Sequence, residues 1–336
     1  MKKVSIIGAG TWALGLAILL YHNGAEVTMW SALEDELQML RQNHEHKNLP
    51  GVRIPEEIRM ESDLEKTVKQ ADVLIMAVAS IYTRQTAARM KTYVRDGQVI
   101  VDVAKGIEES TLMTLSEQIH QEIPQAEVAV LSGPSHAEEV SRRIPTTCVV
   151  GAAKRETAQM LQNLFMSDVF RVYTSPDVKG IELGGALKNV IALAAGIADG
   201  LGYGDNSKAA LITRGMAEIA RLGYAMGVHE ETLYGLSGIG DLIVTCASMH
   251  SRNRRAGILI GQGKTMDEAM AEVHMVVEGV YSAKAAKALA DRHGVYMPIV
   301  EEVNKVLFSD KPAREAVRDL MLRDRRIESP AIPWPE

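Results

Sequence analysis

The residues able to do chemistry in this chain stand in a few short runs. Lys188 lies in Ile181-Glu182-Leu183-Gly184-Gly185-Ala186-Leu187-Lys188-Asn189-Val190-Ile191-Ala192-Leu193-Ala194-Ala195, which at helical spacing is largely apolar on every face. A helix apolar all round is a buried helix. A buried ammonium is costly unless paired, and desolvation lowers its pKa, which is how a lysine becomes a general base near neutral pH. Glu182 is the only partner the segment itself offers. The plainer alternative is a snorkelling or salt-bridged structural lysine. Lys105, in Val101-Asp102-Val103-Ala104-Lys105-Gly106, follows a strand-like run. Ligands of open α/β sheets bind beyond the carboxyl ends of strands, so this lysine is either a crevice residue or an ordinary loop lysine.

Two further runs lie outside the evident helices. Gly238-Ile239-Gly240-Asp241 is followed by Thr245 and then by Ser251-Arg252-Asn253-Arg254-Arg255. Asp241 has the chemistry to bind a hydroxyl or hold a lysine. A forked cation between neutral donors suits a phosphate, although such basic runs are commonly solvated helix faces. Ser132-Gly133-Pro134-Ser135-His136-Ala137 follows another strand-like run and reads as a substrate loop. His136 alone fits a structural role, since Glu138 and Glu139 beside it have neither triad nor metal spacing.

Gly8-Ala9-Gly10-Thr11-Trp12-Ala13 follows the first strand-like run and opens a helical one. This is G-x-G-x-x-A, a form of the dinucleotide fingerprint. Gly8 permits the tight turn, Gly10 lets backbone approach a pyrophosphate, and the small Ala13 lets helix meet strand; free N–H groups then face the anion. Outside its βαβ context the pattern is equally a structural glycine turn. The acidic residue expected some 20 positions on is missing: Trp30 is followed by Ser31-Ala32-Leu33, with Glu34 and Asp35 late and no arginine for a 2′-phosphate. The choice between NAD and NADP therefore stays open, with Ser31 able to bond either a 2′-hydroxyl or a 2′-phosphate.

Continuous apolar runs at 4–7, 27–30, 72–78, 98–103 and 128–132 alternate with amphipathic helical stretches, and 146–150 and 169–173 extend the series. That pattern predicts a doubly wound parallel sheet covered on both faces. Beyond about 176 the texture turns helical, over 181–199, 207–227, 265–274, 279–293 and 298–308. The expected division is 1–178 and 179–336, within the two-domain range for 336 residues.

Forty-six per cent hydrophobic residues exclude a disordered chain, and a net charge of −6 without a long basic block argues against nucleic-acid binding. No run reaches the ~18 consecutive apolar residues of a membrane helix, and 2–10 lacks a signal-peptide boundary. Two cysteines, Cys148 and Cys246, make no disulfide scaffold, so a reducing cytoplasm is the expected setting.

Together these motifs resemble the NAD(P)-dependent glycerol-3-phosphate dehydrogenases of bacterial type, over roughly 3–325. The runs at 101–108, 131–140, 180–215, 236–255 and 276–284 carry the resemblance, and those at 183–189, 200–206 and 251–254 are the most specific. It implies a Rossmann-like α/β domain followed by an all-helical C-terminal domain. The implied reaction is reversible hydride transfer between sn-glycerol 3-phosphate and dihydroxyacetone phosphate, using NAD or NADP and no metal, and supplying phospholipid synthesis. It assigns the proton acceptor to Lys188 and a contact with substrate and cofactor to Lys105. Asp241 joins the lysines as a catalytic group that orients substrate and balances charge. Gly133, Ser135, Asp241, Ser251, Arg252 and Asn253 match substrate positions. Gly8, Gly10, Thr11, Trp12, Ala32, Ala137, Arg252, Val276 and Glu278 match cofactor positions. The chain departs from the pattern at Ala13, at Ala32 where arginine or histidine is common, at Ala79 where proline is usual, and at His136 where an aromatic is common. The implied partner is a small phosphate ester, with neither nucleic acid nor a membrane span, and a homodimer is the candidate assembly. A related hydroxyacid dehydrogenase and a nucleotide-sensing binding protein without catalysis are the rival readings.

Overall fold

The apolar runs become strands whose alternate residues feed two different cores. In the strand Val73–Met76, Val73 and Ile75 join Ile6, Met29 and Val101 on one face of the sheet, while Leu74 and Met76 join Ile7, Trp30 and Ile100 on the other. Both faces are thus dry, which is why the runs are continuous rather than alternating. The computed structural model describes residues 1–325, 327–328 and 334–335. Eight strands form one sheet: β1 (Lys3–Ile7), β2 (Glu26–Trp30), β3 (Arg59–Glu61), β4 (Val73–Met76), β5 (Val99–Asp102), β6 (Glu127–Ser132), β7 (Thr146–Ala152) and β8 (Phe170–Ser175). Their order is β3-β2-β1-β4-β5-β6-β7-β8. The first six are parallel in the Rossmann order, with the crevice where β1 and β4 lead away in opposite directions.

Two details differ from the sequence expectation. β3 is a three-residue edge strand with no apolar run to announce it. β7 pairs antiparallel with β6, Leu131 facing Val150, so the sheet is parallel-dominated rather than wholly parallel. The link between them carries one helical turn, Ala137–Val140, instead of the full crossover helix that a parallel return uses.

The chain leaves the sheet at Ser175 and enters the helix Val178–Gly200, with Asp177 capping it through a bond from Gly180 N (2.9 Å). This central helix is buried from Gly180 to Ala198. It is long and apolar enough to cross a membrane by composition, yet the residues of that apolar window are fully enclosed by protein. The expected stretches appear as Asp205–Ala225, Met266–Val273, Glu278–His293 and Pro298–Phe308. Asp241–Ala247 and Arg252–Gly261 are helices as well, so Asp241, Arg252 and Asn253 stand on helices outside the helical stretches read from the sequence. Of the glycines around them, Gly238, Gly257 and Gly261 serve close packing.

That packing is tightest between the central helix and Arg252–Gly261. A Cβ on Gly196 would stand 2.1 Å from Arg254 O, one on Gly200 2.2 Å from Ile258 O, one on Gly257 2.2 Å from Leu193 O and one on Gly261 2.3 Å from Ile197 O. Only hydrogen fits at these four points, so the two backbones meet along a glycine seam. Through it the helix of Lys188 fixes the helix of Arg252.

Candidate active site

A cleft of about 1010 Å³ runs from the carboxyl ends of β1, β2, β4 and β5 to the helical half. At one end is the Gly8–Ala13 turn. Gly8 has φ +132°, and a Cβ there would lie 2.7 Å from Ala77 O, so the turn needs glycine. A Cβ on Gly10 would meet nothing within 4 Å. That open space lies over the N-terminus of the helix Thr11–His22, which has no side-chain cap. An uncapped 12-residue helix with room above it suits the pyrophosphate of a dinucleotide, and Thr11, Trp12, Ala32 and Ala137 line the same cleft.

The adenosine end differs from the sequence expectation. Ser31 Oγ donates to Glu36 Oε2 (2.6 Å) and accepts from Leu33 N (3.1 Å). Ser31 is therefore already engaged. Glu36, in the first turn of the next helix, brings a carboxylate to the cleft that the end of β2 itself lacks. Arg89 borders the same end, its guanidinium 5.3 Å from the centre of the Trp30 ring.

At the junction with the helical half lies a charged trio. Lys188 Nζ donates to Asp241 Oδ1 (2.7 Å) and to Thr245 Oγ1 (2.7 Å). Asp241 Oδ2 is 2.6 Å from Lys105 Nζ, an ion pair not aligned as a hydrogen bond. Lys105 also donates to Gly133 O (3.0 Å) and reaches Ser135 Oγ (3.5 Å). One carboxylate thus serves two ammonium groups, with side-chain exposures of 2% for Asp241, 7% for Lys188 and 17% for Lys105. Burial is the largest influence on Lys188 and pulls its pKa to about 8 against the attraction of Asp241, with Lys105 adding to the fall. Burial works to raise Asp241, but the two lysines outweigh it and hold the carboxyl below its ordinary value. Glu182, the partner that Lys188's own segment offered, is turned away; it accepts from Ser116 N (2.8 Å) and Ser116 Oγ (2.5 Å) on the sheet half.

Beyond the trio stands Arg252, at the start of its helix. It makes no hydrogen bond or ion pair among the described residues and lines the cleft. Burial lowers its pKa, opposed by Glu278 and Glu138. Ser251 is the N-cap of this helix, accepting from Arg254 N (3.2 Å). Asn253 braces it: Asn253 Nδ2 donates to Asn189 Oδ1 (2.9 Å), and Gly279 N donates to Asn253 Oδ1 (2.8 Å). Glu278 accepts from Ser80 N (3.1 Å) and from the Ser80 hydroxyl, tying the helical half back to the sheet half.

Every residue matched to a substrate or cofactor position lines this cleft except Gly133, which takes part through its carbonyl. Sequence reasoning gave no role to Thr245, Asn189, Ser80 or Glu36. Thr245, four residues after Asp241 and so on the same helix face, carried a readable signal. Contacts made 64 and 198 residues apart, those of Asn189 and Ser80, carried none.

Comparison with known proteins agrees with the geometry. The sequence signature described as NAD-dependent glycerol-3-phosphate dehydrogenase N-terminus matches residues 3–158, and that of the C-terminus matches 177–318. A protein of Agathobacter rectalis named glycerol-3-phosphate dehydrogenase (NAD(P)+) is 63% identical over 335 residues, covering 99% of this chain and 100% of its own. One of the same name from Fusobacterium nucleatum is 57% identical over 331 residues, 98% and 99% of the two chains. The crystal structure of glycerol-3-phosphate dehydrogenase from Coxiella burnetii superposes with a TM-score of 0.92 at 34% identity, covering 96% of this chain and 99% of that one.

Proposed function

This chain belongs to the NAD-dependent glycerol-3-phosphate dehydrogenase family, and from that premise we propose how its residues divide the work. The enzyme is an oxidoreductase interconverting sn-glycerol 3-phosphate and dihydroxyacetone phosphate with NAD(P), a reaction that supplies glycerol 3-phosphate for phospholipid synthesis. When bound, the dinucleotide takes up or returns the C2 hydride. Gly8, Gly10, Thr11 and Trp12 hold its pyrophosphate, while Ala32, Ala137, Val276 and Glu278 border its remainder.

The observation that carries this reading is the single carboxylate of Asp241 shared by Lys188 and Lys105, in the same cleft as an uncommitted arginine. In oxidation, Lys188 as free amine takes the C2 hydroxyl proton while the hydride leaves the same carbon. In reduction, its ammonium returns a proton to the forming alkoxide. A pKa near 8 makes both forms accessible close to neutrality. Asp241 and Thr245 aim the Lys188 nitrogen. Lys105 balances the charge and, with Gly133 and Ser135, borders the substrate. Arg252 clamps the phosphate. Ser251 and Asn253 hold Arg252's helix in place, and the clamp orients C2 from a distance.

The test is oxidation of NADH and of NADPH in the presence of dihydroxyacetone phosphate. Turnover with the phosphate ester and little with unphosphorylated dihydroxyacetone is expected; equal kcat/KM for the two removes the clamp from the mechanism. A homodimer in the cytoplasm completes the reading. Buried free thiols at Cys148 and Cys246 suit a reducing compartment. Exposed Met321 and Leu322, side by side, offer apolar surface to a second copy. Sedimentation and fractionation test these two points. The division at 178/179 belongs to the same reading, supported by the switch from strand to helix around Asp177.

A further inference from the structure

Among the described residues, only two buried side-chain polar atoms that lack a hydrogen bond belong to residues of the large cleft: Asp241 Oδ2 and His136 Nε2. Asp241 Oδ2 has the Lys105 ammonium beside it. His136 Nε2 has no partner. A buried N–H or ring nitrogen without one is a standing cost, and in a ligand cleft the missing partner is naturally the ligand.

The place of this ring narrows the ligand group. His136 packs at 5.7 Å between ring centroids against His250, and His250 directly precedes Ser251 and Arg252. The loop of Ser135 and His136, from the sheet half, therefore meets the helical half at His250, two residues before its uncommitted arginine. We propose that His136 is a further substrate contact, its Nε2–H donating to a phosphate oxygen of the bound three-carbon ester beside Arg252. The proposal rests on the glycerol-phosphate reading above.

The charged groups around the ring are the cations Lys188 and Lys105 and the carboxylates Glu138 and Asp241. Glu138 also faces His250, at 4.0 Å from its Nδ1. Burial, then Lys188, pushes the His136 imidazole below its ordinary pKa, so a neutral ring awaits the substrate. A neutral imidazole carries one N–H. An arriving phosphate dianion opposes the influence of the lysines and favours that proton on the nitrogen facing it. The contact adds a donor without adding another fixed charge to a site already holding two ammoniums and a guanidinium.

His136→Phe keeps a ring at position 136 and removes the donor. His136→Gln returns an amide N–H near the place of Nε2. The experiment compares the parent with both variants in the reduction of dihydroxyacetone phosphate and of hydroxyacetone phosphate, which keeps the phosphate and lacks the free hydroxyl. Calorimetric binding of inorganic phosphate is measured alongside.

For His136→Phe, KM should rise roughly 10- to 100-fold for both esters, and inorganic phosphate should bind weaker by a similar factor, as for one lost bond to a charged group. The value of kcat should stay within about threefold, since the contact is the same in ground and transition states. His136→Gln should recover most of the loss. A Phe variant matching the parent in both KM and phosphate binding overturns the proposal. A penalty confined to dihydroxyacetone phosphate puts the contact on the hydroxyl and overturns the phosphate assignment. A parent inert toward dihydroxyacetone phosphate removes the functional reading, and this inference with it. If the Phe variant does not fold, His136→Leu takes its place in the same comparison.

Discussion

Lys188 and Asp241 lie 2.7 Å apart, nitrogen to oxygen, yet the pair is not a balanced one, because Asp241 spends its other oxygen on Lys105. Lys188 is buried and receives only part of a counter-charge, and burial pulls its pKa to about 8. The sign of the pH dependence follows. Reduction needs the ammonium, so its kcat/KM should be level below pH 8 and fall above it. Oxidation needs the amine, so its kcat/KM should rise toward a plateau above pH 8. Asp241→Asn removes the only carboxylate of the trio, and the falling limb of reduction should move to lower pH. Rate profiles in both directions on parent and variant check this; a limb unmoved in the variant would separate it from Lys188.

Lys188→Ala should leave a folded protein with turnover reduced ~10²–10⁴-fold, the usual loss of a general acid–base group. The central helix is held by the glycine seam and its apolar neighbours, not by this lysine. Circular dichroism and kcat on the same sample are the two measurements needed. Near-native turnover in a folded variant would reassign the proton to another group.

Arg252 and Asn253 are adjacent in sequence and should fail differently. Arg252→Ala should raise KM for the phosphate ester, by a cost on the order of 2–5 kcal/mol, with little change in melting temperature. Asn253→Ala strands the Gly279 N–H and Asn189 Oδ1 in a buried place. It should lower stability by ~1–3 kcal/mol. Thermal melts beside steady-state kinetics separate a ligand contact from a brace.

Cofactor choice should be shallow. Glu36, gripped by Ser31, favours a ribose hydroxyl over a 2′-phosphate, while Arg89 nearby pulls the other way. Both NADH and NADPH should support reduction, with kcat/KM within roughly 10- to 150-fold of each other and NADH ahead. Glu36→Gln and Ala32→Arg should each move the ratio toward NADPH, the second through a charge-assisted fork on the phosphate. Binding constants from quenching of protein fluorescence, measured with kinetics, test this. A preference for NADPH in the parent would mean that Arg89 outweighs Glu36.

The groups of the site were readable because each broke a local rule. Lys188 is a charge in an apolar helix, Gly8 and Gly10 interrupt a βα junction, and Arg252 is a forked cation between two neutral donors. The sheet was readable because two-faced burial leaves uninterrupted apolar runs. What connects these pieces was not. Nothing local marks Asp241, 53 residues on, as the partner of Lys188, and Glu182 stood nearer. Ser31 looked free because its acceptor, Glu36, returns to it only after the chain has turned into a helix. The direction of β7 depended on the connection before it rather than on its own residues. The packing role of Gly196, Gly200, Gly257 and Gly261 was not readable either, because sequence alone does not tell a glycine that ends a helix from one that lets a second helix touch it.

The glycine seam bears on how this enzyme could change. Side chains that meet across a packed gap can be exchanged for longer or shorter ones, and the gap adjusts. Two backbones already in contact cannot be moved that way. On the proposed division of work, the span from the Lys188 nitrogen to the Arg252 guanidinium is thus a main-chain dimension, measured in helix rise and set where Gly196 meets Arg254 and Gly257 meets Leu193. A lineage seeking a four-carbon phosphate ester gains little by trimming pocket residues. It has to slip one helix along the other, and that shifts all four glycine contacts together. On that reading the substrate's carbon count is written into the contact line between two helices, where single substitutions are least able to edit it.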